Sequence, residues 1–256
     1  MQVGLSPTNV AEYYLVLNNK PEVFLNNFIG KTICLELTGL IKCIYCQKHT
    51  KKSYSNGYCY TCAIKLARCD ICVLQPKNCH YHLGTCREPE WGEQHCFIPH
   101  IVYLANSSGI KVGIARLNNL PNRWIDQGAI QGLSIIKTNS RYHAGLIEEL
   151  LAKTVPDKTN WRKMLANDVE SIDLIEYKNL LLKQFKNFDF EFEILNNKII
   201  DINYPKIAEH YNINLNNLSK NNIISGRLLA IKGQYLILSE GVLNIRSLTG
   251  YEARFN

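Results

Sequence analysis

The sequence predicts an α+β protein with a small α/β domain, a cysteine-rich metal-binding region and a β-rich, barrel-like domain built from both ends of the chain. Three observations predict this organisation. Nine of the ten cysteines fall between Cys43 and Cys96, and C-x-x-C pairs clustered in this way indicate metal binding in a reducing compartment. The run from Pro99 to Arg116 has the pattern of a β-hairpin. Both ends of the chain carry alternating or glycine-broken apolar runs, which are typical of antiparallel strands.

Composition limits the class of protein. The chain has 256 residues, 46% of them hydrophobic, which is enough for a sizeable core in one large or two to three small domains. No segment approaches about 18 uncharged apolar residues, so neither a membrane span nor a membrane partner is predicted. The first residues lack the basic start and apolar core of a secretory signal, so we expect a cytoplasmic protein.

The formal net charge of +7 is a weak argument for a nucleic-acid partner. A zinc ion with four thiolates has a net charge of −2, so two such sites would reduce the total to +3. Only local basic patches can therefore indicate a polyanionic partner.

The first four clustered cysteines predict a structural zinc site of the zinc-ribbon type. Two residues separate the members of each pair and twelve separate the pairs, which lets two tight turns face one ion. Lys48, Lys51 and Lys52 lie near these turns, where they either contact nucleic acid or form a solvated loop. Cys34 lies in a strand pattern and is predicted to be a small buried hydrophobe. The predicted zinc ligands are Cys43, Cys46, Cys59 and Cys62.

A second cluster offers more ligands than one further zinc ion needs. Cys69 and Cys72 form a pair, and Cys86 and Cys96 would complete a structural site. Cys79 and His82 are rival ligands, which also leaves a third zinc site open. This stretch is short and contains few apolar residues to bury, so it is expected to fold only when metal binds.

Secondary structure follows from periodicity and from cap and turn residues. The hairpin has strands from Ile101 to Ala105 and from Ile110 to Ile114. Ser140 is a predicted N-cap. Helices are predicted from Pro121 to Gln127, from Arg141 to Thr154 and from Glu170 to Phe185, and further strands from Lys31 to Ile41, from Leu133 to Thr138 and from Phe188 to Leu195.

The predicted domain order is as follows. An N-terminal β segment (1–42) pairs with the C-terminal part, and it is followed by the zinc-binding region (43–97), the α/β domain (98–168), a helical connector (169–187) and a C-terminal β domain (188–256). The pairing of the two ends would make residues near 35 contact residues near 230.

The α/β domain resembles the GIY-YIG nuclease domain. Tyr103 lies on the first strand, Gly113 on the second, Arg123 on a first helix and Glu148 on a later helix, in the order of that family. The two triplets here are Ile101-Val102-Tyr103 and Lys111-Val112-Gly113. The resemblance covers about Pro99 to Trp161 and includes Leu150, Leu151, Pro156 and Asn160, much like the helix and Pro-x-x-Asn ending of those domains. Lys111 is a departure, because the family pattern has its second tyrosine there.

The resemblance implies phosphodiester chemistry. In the family, the residue matched by Arg123 lies beside the scissile phosphate, and the one matched by Glu148 holds a divalent ion such as magnesium or manganese. Tyr103 or Lys111 would position or deprotonate the attacking water, which for Lys111 requires a lowered pKa. Further candidates for phosphate contact are Arg116, Arg141 and His143, which equally fit a surface role.

The chain as a whole also resembles an uncharacterised bacterial family of unknown function, which supports the domain order and supplies no activity. Three functions stay open. The first is a zinc-containing nucleic-acid-binding protein whose nuclease-like domain has lost cleavage. The second is an active metal-dependent nuclease on DNA or RNA, and the third is a scaffold that binds another protein.

Overall fold

The structure, a computed structural model, describes residues 1–17, 22–155, 160–183, 185, 188–208 and 210–256. Pro156, which belongs to the GIY-YIG resemblance, lies outside these residues. The chain divides into unit 1, formed by Met1–Lys65 and Asn203–Asn256, and unit 2, formed by Leu66–Ile202. No helix among the described residues is long and apolar enough to cross a membrane.

The regular elements are numbered in chain order. The helices are α1 (Tyr60–Lys65), α2 (Ile71–Leu74), α3 (Pro89–His95), α4 (Asn122–Asp126), α5 (Arg141–Leu151), α6 (Trp161–Leu165) and α7 (Leu174–Leu182). The strands are β1 (Gln2–Leu5), β2 (Ala11–Leu15), β3 (Val23–Phe24), β4 (Thr32–Ile41), β5 (His100–Asn106), β6 (Ile110–Arg116), β7 (Gln131–Thr138), β8 (Phe192–Ile194), β9 (Ile199–Asp201), β10 (Ile223–Lys232), β11 (Tyr235–Leu238), β12 (Gly241–Asn244) and β13 (Tyr251–Phe255).

Unit 1 contains two sheets, one of them formed by both ends of the chain. β1, β2 and β3 make a three-stranded sheet, and the second sheet has the order β12-β11-β10-β4-β13. Leu35 of β4 faces Ile224 of β10 on one side and Phe255 of β13 on the other. β4 buries Ile33 and Leu35, as its apolar alternation predicts.

The five-stranded sheet of unit 1 is open, so the expectation of a barrel-like domain is wrong for the part of the chain that the structure describes. β12 has only four residues, and the 3-10 turn Ile245–Leu248 follows it directly. That turn leads the chain to the far side of β4, where β13 pairs with β4 and not with β12.

Unit 2 is built on the sheet β6-β5-β7-β8, with β9 also paired to β7. β5 is the central strand, and all seven of its residues are buried. One face of the sheet packs Val102 and Leu133 against Ala144, Ile147 and Leu151 of α5. The hairpin, α4, β7 and α5 therefore follow the predicted order with small changes in length.

Several predicted boundaries differ from the structure. Residues 188–202 belong to unit 2 and not to a C-terminal domain, because β8 and β9 pair with β7. The predicted zinc-binding region is divided between the units at Lys65 and Leu66. The helix expected from Glu170 starts at Leu174, since the Asp173 carboxylate accepts hydrogen bonds from the backbone N–H groups of Ile175 and Glu176.

Two other elements are shorter than predicted. α5 ends at Leu151, before the predicted Thr154, and its N-cap is Ser140 as predicted, with the side chain accepting from the His143 N–H. The strand expected from Phe188 begins only at Phe192. Phe188 instead packs against Phe185 and Phe190, with ring centroids 5.4 Å and 4.9 Å away, so aromatic packing replaces strand pairing there.

Candidate functional sites

Four thiols of unit 1 converge on one point. The Sγ atoms of Cys43, Cys46, Cys59 and Cys62 all lie within 4.8 Å of one another, and those of Cys46 and Cys59 are 3.8 Å apart. A tetrahedral zinc ion with Zn–S bonds of about 2.3 Å places its sulfurs about 3.8 Å apart. The predicted cysteine set can therefore hold a zinc ion.

Local backbone structure explains how the two pairs present their sulfurs. The first pair lies in a tight turn, in which Gln47 donates to the Cys43 carbonyl and Cys43 donates to the Lys48 carbonyl. The second pair begins α1, where Ala63 donates to the Cys59 carbonyl. Between the pairs, Tyr54 and Tyr58 exchange two backbone hydrogen bonds of 2.8 Å, which closes the connecting loop.

The protein environment acts differently on two of these thiols. Burial raises the pKa of the Cys43 thiol, but hydrogen bonds from the backbone of Cys46, Cys59 and Tyr45 outweigh it and lower the pKa to about 6. Burial, with hydrogen bonds to Cys59, Cys46 and Cys43, raises the pKa of Cys62 to about 12. Of these two thiols, Cys43 is the one whose environment favours the thiolate, which is the form that binds a metal ion.

The basic side chains near this cluster lie at the surface. Lys48, Lys51 and Lys52 are exposed, and the Lys52 ammonium lies 5.3 Å from the centre of the Tyr54 ring. The Tyr54 and Tyr60 rings meet edge to face at 5.5 Å. Cys34 is half-buried on β4, outside the four-thiol group.

The second group of cysteines lies in unit 2 and is arranged differently from the prediction. Four thiols, those of Cys72, Cys79, Cys86 and Cys96, line one cavity of about 20 Å³ together with His80. Cys69 does not line this cavity, although it was predicted as a ligand, and the rival His82 is exposed. Burial raises the pKa of Cys72 to about 11, helped by the negative charges of Asp70, Cys79, Cys96 and Cys86.

Asp70 is a buried carboxylate beside this group. Its Oδ2 atom is 2.6 Å from Arg87 Nε and 3.5 Å from His80 Nε2. Ligand atoms of Asp70, Cys72 and His80 lie within 4.8 Å of one another. The sequence analysis did not single out Asp70 or His80 as ligands, and the only signal was their position between the cysteines.

Tyr103 lies in the interior of unit 2. Its side chain is 0% exposed, and its hydroxyl accepts a hydrogen bond of 2.7 Å from Gln127 Nε2. The ring lies over Gly113, where an added Cβ would be 2.5 Å from the Tyr103 Oη atom. Trp124 packs edge to face on the same ring at 5.9 Å. Gln127 was not predicted, although its position four residues after Arg123 on one helix face was a signal.

Arg123 and Glu148 act on this tyrosine, and both also act on Arg141. Burial raises the pKa of Tyr103, the charge of Arg123 and hydrogen bonds from Gln127 and Arg123 oppose the rise, and the charge of Glu148 adds to it. Burial also lowers the pKa of Arg141, while the charges of Cys96 and Glu148 raise it and that of Arg123 lowers it further. Tyr103, Arg123 and Glu148 thus belong to one electrostatic neighbourhood.

The remaining predicted site residues of unit 2 lie as follows. Arg141 donates a hydrogen bond to the Val73 carbonyl. The His143 ring stacks on Phe190 at 4.1 Å, and burial lowers its pKa. Arg116 is half-buried at the end of β6, opposite His100. Lys111 is 8% exposed and pairs with Ala105 of β5.

A family model described as a protein of unknown function, DUF2797, matches residues 30–253. The chain belongs to this family. The match spans both units, as the resemblance of the whole chain to a family of unknown function predicted, and the description of DUF2797 gives no activity. Neither the curated proteins nor the solved structures give a match to this chain.

Proposed function

We propose that this DUF2797 protein binds nucleic acid, with a zinc ion in the four-thiol site of unit 1 and a GIY-YIG-like domain that holds the phosphodiester backbone at Arg123. The observation that carries the proposal is the assembly of Tyr103, Gln127, Arg123 and Glu148 in unit 2. The sequence separates these residues by up to 45 positions, yet their charges and hydrogen bonds act on one another.

The positions of these residues on the fold support the proposal. Tyr103 lies on β5, Gly113 on β6, Arg123 on α4 and Glu148 on α5, which is the order that suggested the GIY-YIG resemblance. Gly113 leaves space for the Tyr103 ring. The glycine of the second triplet thus has a steric purpose here.

Arg123 is the group best suited to a phosphate. Arg123 is half-buried, and its guanidinium acts on the Tyr103 hydroxyl through its charge and as a hydrogen-bond donor. A planar guanidinium offers paired donors to phosphate oxygens. Tyr103 and Gln127 are then positioning residues that act through Arg123.

Binding is favoured over cleavage by the surroundings of Tyr103. Its hydroxyl is buried and accepts a hydrogen bond from Gln127, so it has no access to an attacking water molecule. Lys111, which stands in place of the second family tyrosine, is also buried. In this proposal, Tyr103 and Lys111 therefore support the fold of the site and do not contact a substrate directly.

Cleavage is the second candidate, and Glu148 is the observation that favours it. Its charge acts on both Tyr103 and Arg141, and in this candidate function the carboxylate would hold a magnesium or manganese ion against a phosphate beside Arg123. One carboxylate completed by water and phosphate oxygens is a coordination that magnesium accepts. The ion would stabilise charge developing on the phosphate.

The test uses fluorescently labelled single-stranded and duplex DNA and RNA with the zinc-loaded full-length protein. Binding is measured by anisotropy over a range of salt concentrations, because phosphate contacts make affinity fall with salt. We expect Arg123→Ala to weaken binding about tenfold. The slope of the logarithm of the affinity against the logarithm of the salt concentration should become shallower by about one. Arg162→Ala is the matched control, since Arg162 is exposed and stacks on Trp161, and its affinity should stay within about twofold of wild type.

Cleavage is measured on the same substrates with magnesium or manganese. Products that disappear in Glu148→Gln and persist in Glu149→Gln would establish the second candidate. Glu149 is the neighbouring carboxylate on α5 and forms an exposed ion pair with Lys77. Failure of the wild-type protein to bind any of the four substrates would refute the proposal.

A further inference from the structure

Four of the five cysteines of unit 2 line two small cavities that have Cys72, Cys79, Cys96 and Phe97 in common. One cavity of about 20 Å³ has Cys72, Cys79, Cys86 and Cys96 in its wall. A second cavity of about 20 Å³ shares three of these four cysteines and adds Arg141. A volume of this size accepts roughly one water-sized sphere, so a metal ion, which is smaller, also fits there.

Short turns of backbone bring the four thiols to the wall of one cavity. Their Sγ atoms are not all within 4.8 Å of one another, as those of the first site are, so the thiols would have to close around a bound ion. Cys72 lies on α2, and Cys79 follows a 3-10 turn in which its N–H donates to the Pro76 carbonyl at 3.0 Å. Cys96 ends α3, with its N–H donating to the Gly92 carbonyl at 2.7 Å. Cys86 lies against α3, since a Cβ added at Gly92 would be in ordinary contact with the Cys86 Sγ atom at 3.7 Å.

We propose that Cys72, Cys79, Cys86 and Cys96 hold a second zinc ion as a tetrahedral four-thiolate site. Thiolate is a ligand that zinc prefers, and a site with four protein ligands has no open position and is structural. The set replaces Cys69 of the predicted site with Cys79. The inference does not depend on nucleic-acid binding.

The segment that carries these cysteines has little other means of folding. From Leu66 to Ile98, only Leu66, Ala67, Asp70, Pro76 and Gly92 are buried. Its regular structure consists of short helices and 3-10 turns, which bury too little apolar surface to offset the loss of chain entropy. A metal ion bound by four side chains would supply the missing free energy of folding.

Positive charges surround the cysteines, as a site of net charge −2 requires. Arg141 lines the second cavity with Cys72, Cys79 and Cys96, and its hydrogen bond to the Val73 carbonyl fixes it beside α2. Its guanidinium offsets the charge of the thiolates without acting as a ligand. This gives Arg141 a structural role that the phosphate-contact prediction did not include.

Asp70, Cys72 and His80 are the competing ligand set, because their atoms lie within 4.8 Å of one another. That set supplies only three ligands and shares Cys72 with the four-thiol site. The Asp70 carboxylate already accepts a hydrogen bond from Arg87 at 2.6 Å, and His80 Nδ1 is 2.7 Å from the Thr85 hydroxyl. These partners hold Asp70 and His80 beside the cysteines without making them ligands of the ion.

The test measures metal content and coordination in the full-length protein. Elemental analysis of the wild type should give two zinc ions per chain, and Cys79→Ser and Cys43→Ser should each lower this to one. Cys69→Ser is the matched control and should keep both ions. X-ray absorption at the zinc edge of the wild type, which needs no variant to fold, should show a single sulfur shell at about 2.3 Å.

Four results would overturn the proposal. The first is one zinc ion per wild-type chain, lost in Cys43→Ser. The second is a Cys79→Ser variant that keeps two ions while Asp70→Asn and His80→Ala each lose one. The third is a wild-type nitrogen or oxygen shell at about 2.0 to 2.1 Å, and the fourth is iron in place of the second zinc.

Discussion

Gly113 shows how a single missing Cβ shapes the Tyr103 site. The Tyr103 ring occupies the space above the glycine. The residues on either side of Gly113 in β6 are buried. A methyl group at Gly113 would have to displace this ring from the interior, and the ring also contacts Trp124. The hydrogen bond from Gln127 to the Tyr103 hydroxyl depends on the same placement.

We expect Gly113→Ala to lower the free energy of unfolding by about 1 to 3 kcal/mol, because overpacking a buried site forces side chains to shift. Chemical denaturation followed by tryptophan fluorescence measures the change. Gly92→Ala is the control, since its nearest neighbour, Tyr81, would be 3.6 Å from the new Cβ. This control should be neutral or stabilising by up to about 1 kcal/mol. Equal stability of Gly113→Ala and wild type would contradict the packing of Tyr103.

Lys232 is a buried cation of unit 1 that makes stability depend on pH. The residue is 3% exposed, and burial, with the charge of Lys206, lowers its pKa to about 8. An unfolded lysine has a pKa of about 10.4. Between these values the unfolded chain binds more protons, so stability rises with pH over this window and is reduced below it.

We therefore expect Lys232→Met to be more stable than wild type at pH 7, by up to about 3 kcal/mol. The difference should shrink as the pH rises from about 8 to about 10.4. Denaturation curves at several pH values measure it, with Lys220→Met, an exposed lysine of unit 1, as control. A difference that stays constant across this range would contradict the assignment.

At the scale of elements, the cysteine turns were the most predictable part of the chain. Spacing alone identified Cys43, Cys46, Cys59 and Cys62, because two intervening residues fit a turn around one ion. The second group could not be resolved in this way. There the ligands are brought together by several short helices and 3-10 turns, whose arrangement spacing does not encode.

Removal of zinc from the first site should unfold the connecting turns. We expect Cys43→Ser to lose protection from hydrogen exchange over residues 43–62, because the folding of such a segment depends on the bound ion. Mass spectrometry of the exchanged peptides measures this effect. Cys34→Ser should keep wild-type protection there, since Cys34 lies on β4 outside the thiol group. Unchanged protection in both variants would mean that the turns fold without metal.

The sequence was less informative about strands at sheet edges. Residues Phe188–Leu195 alternate as a strand should, but only Phe192–Ile194 pairs, with β7. The phenylalanines before it pack on one another. Alternation reports which side chains are buried and does not say whether the backbone finds a partner.

At the scale of the molecule, unit 1 is discontinuous and unit 2 is not. β4 has β10 on one side and β13 on the other, so its hydrogen bonds depend on both segments of the chain. Strand-rich ends predicted this pairing, whereas the place of β8 and β9 in unit 2 required knowledge of the free edge of β7. Local patterns do not report which distant edge is open.

Deletion of residues 251–256 should unfold the five-stranded sheet of unit 1. The deletion removes the partner of β4 from Leu35 to Ile41 and the contact of Phe255 with Phe28 at 5.2 Å. We expect residues 32–41 to lose protection from hydrogen exchange. Residues 100–106 of unit 2 should keep theirs, which provides a control within the same molecule. Retained protection of β4 would show that β13 is dispensable.

The late arrival of β10 and β13 has a consequence for biosynthesis. At about 5 to 20 residues per second, a ribosome needs roughly 10 to 40 s to make the chain between β4 and β10. All of unit 2 is synthesised in that interval, so it can fold while β4 still waits with both edges unpaired. Unpaired apolar strands are sites of aggregation. The nascent chain therefore has a period in which β4 can pair with other chains before its late partners are made.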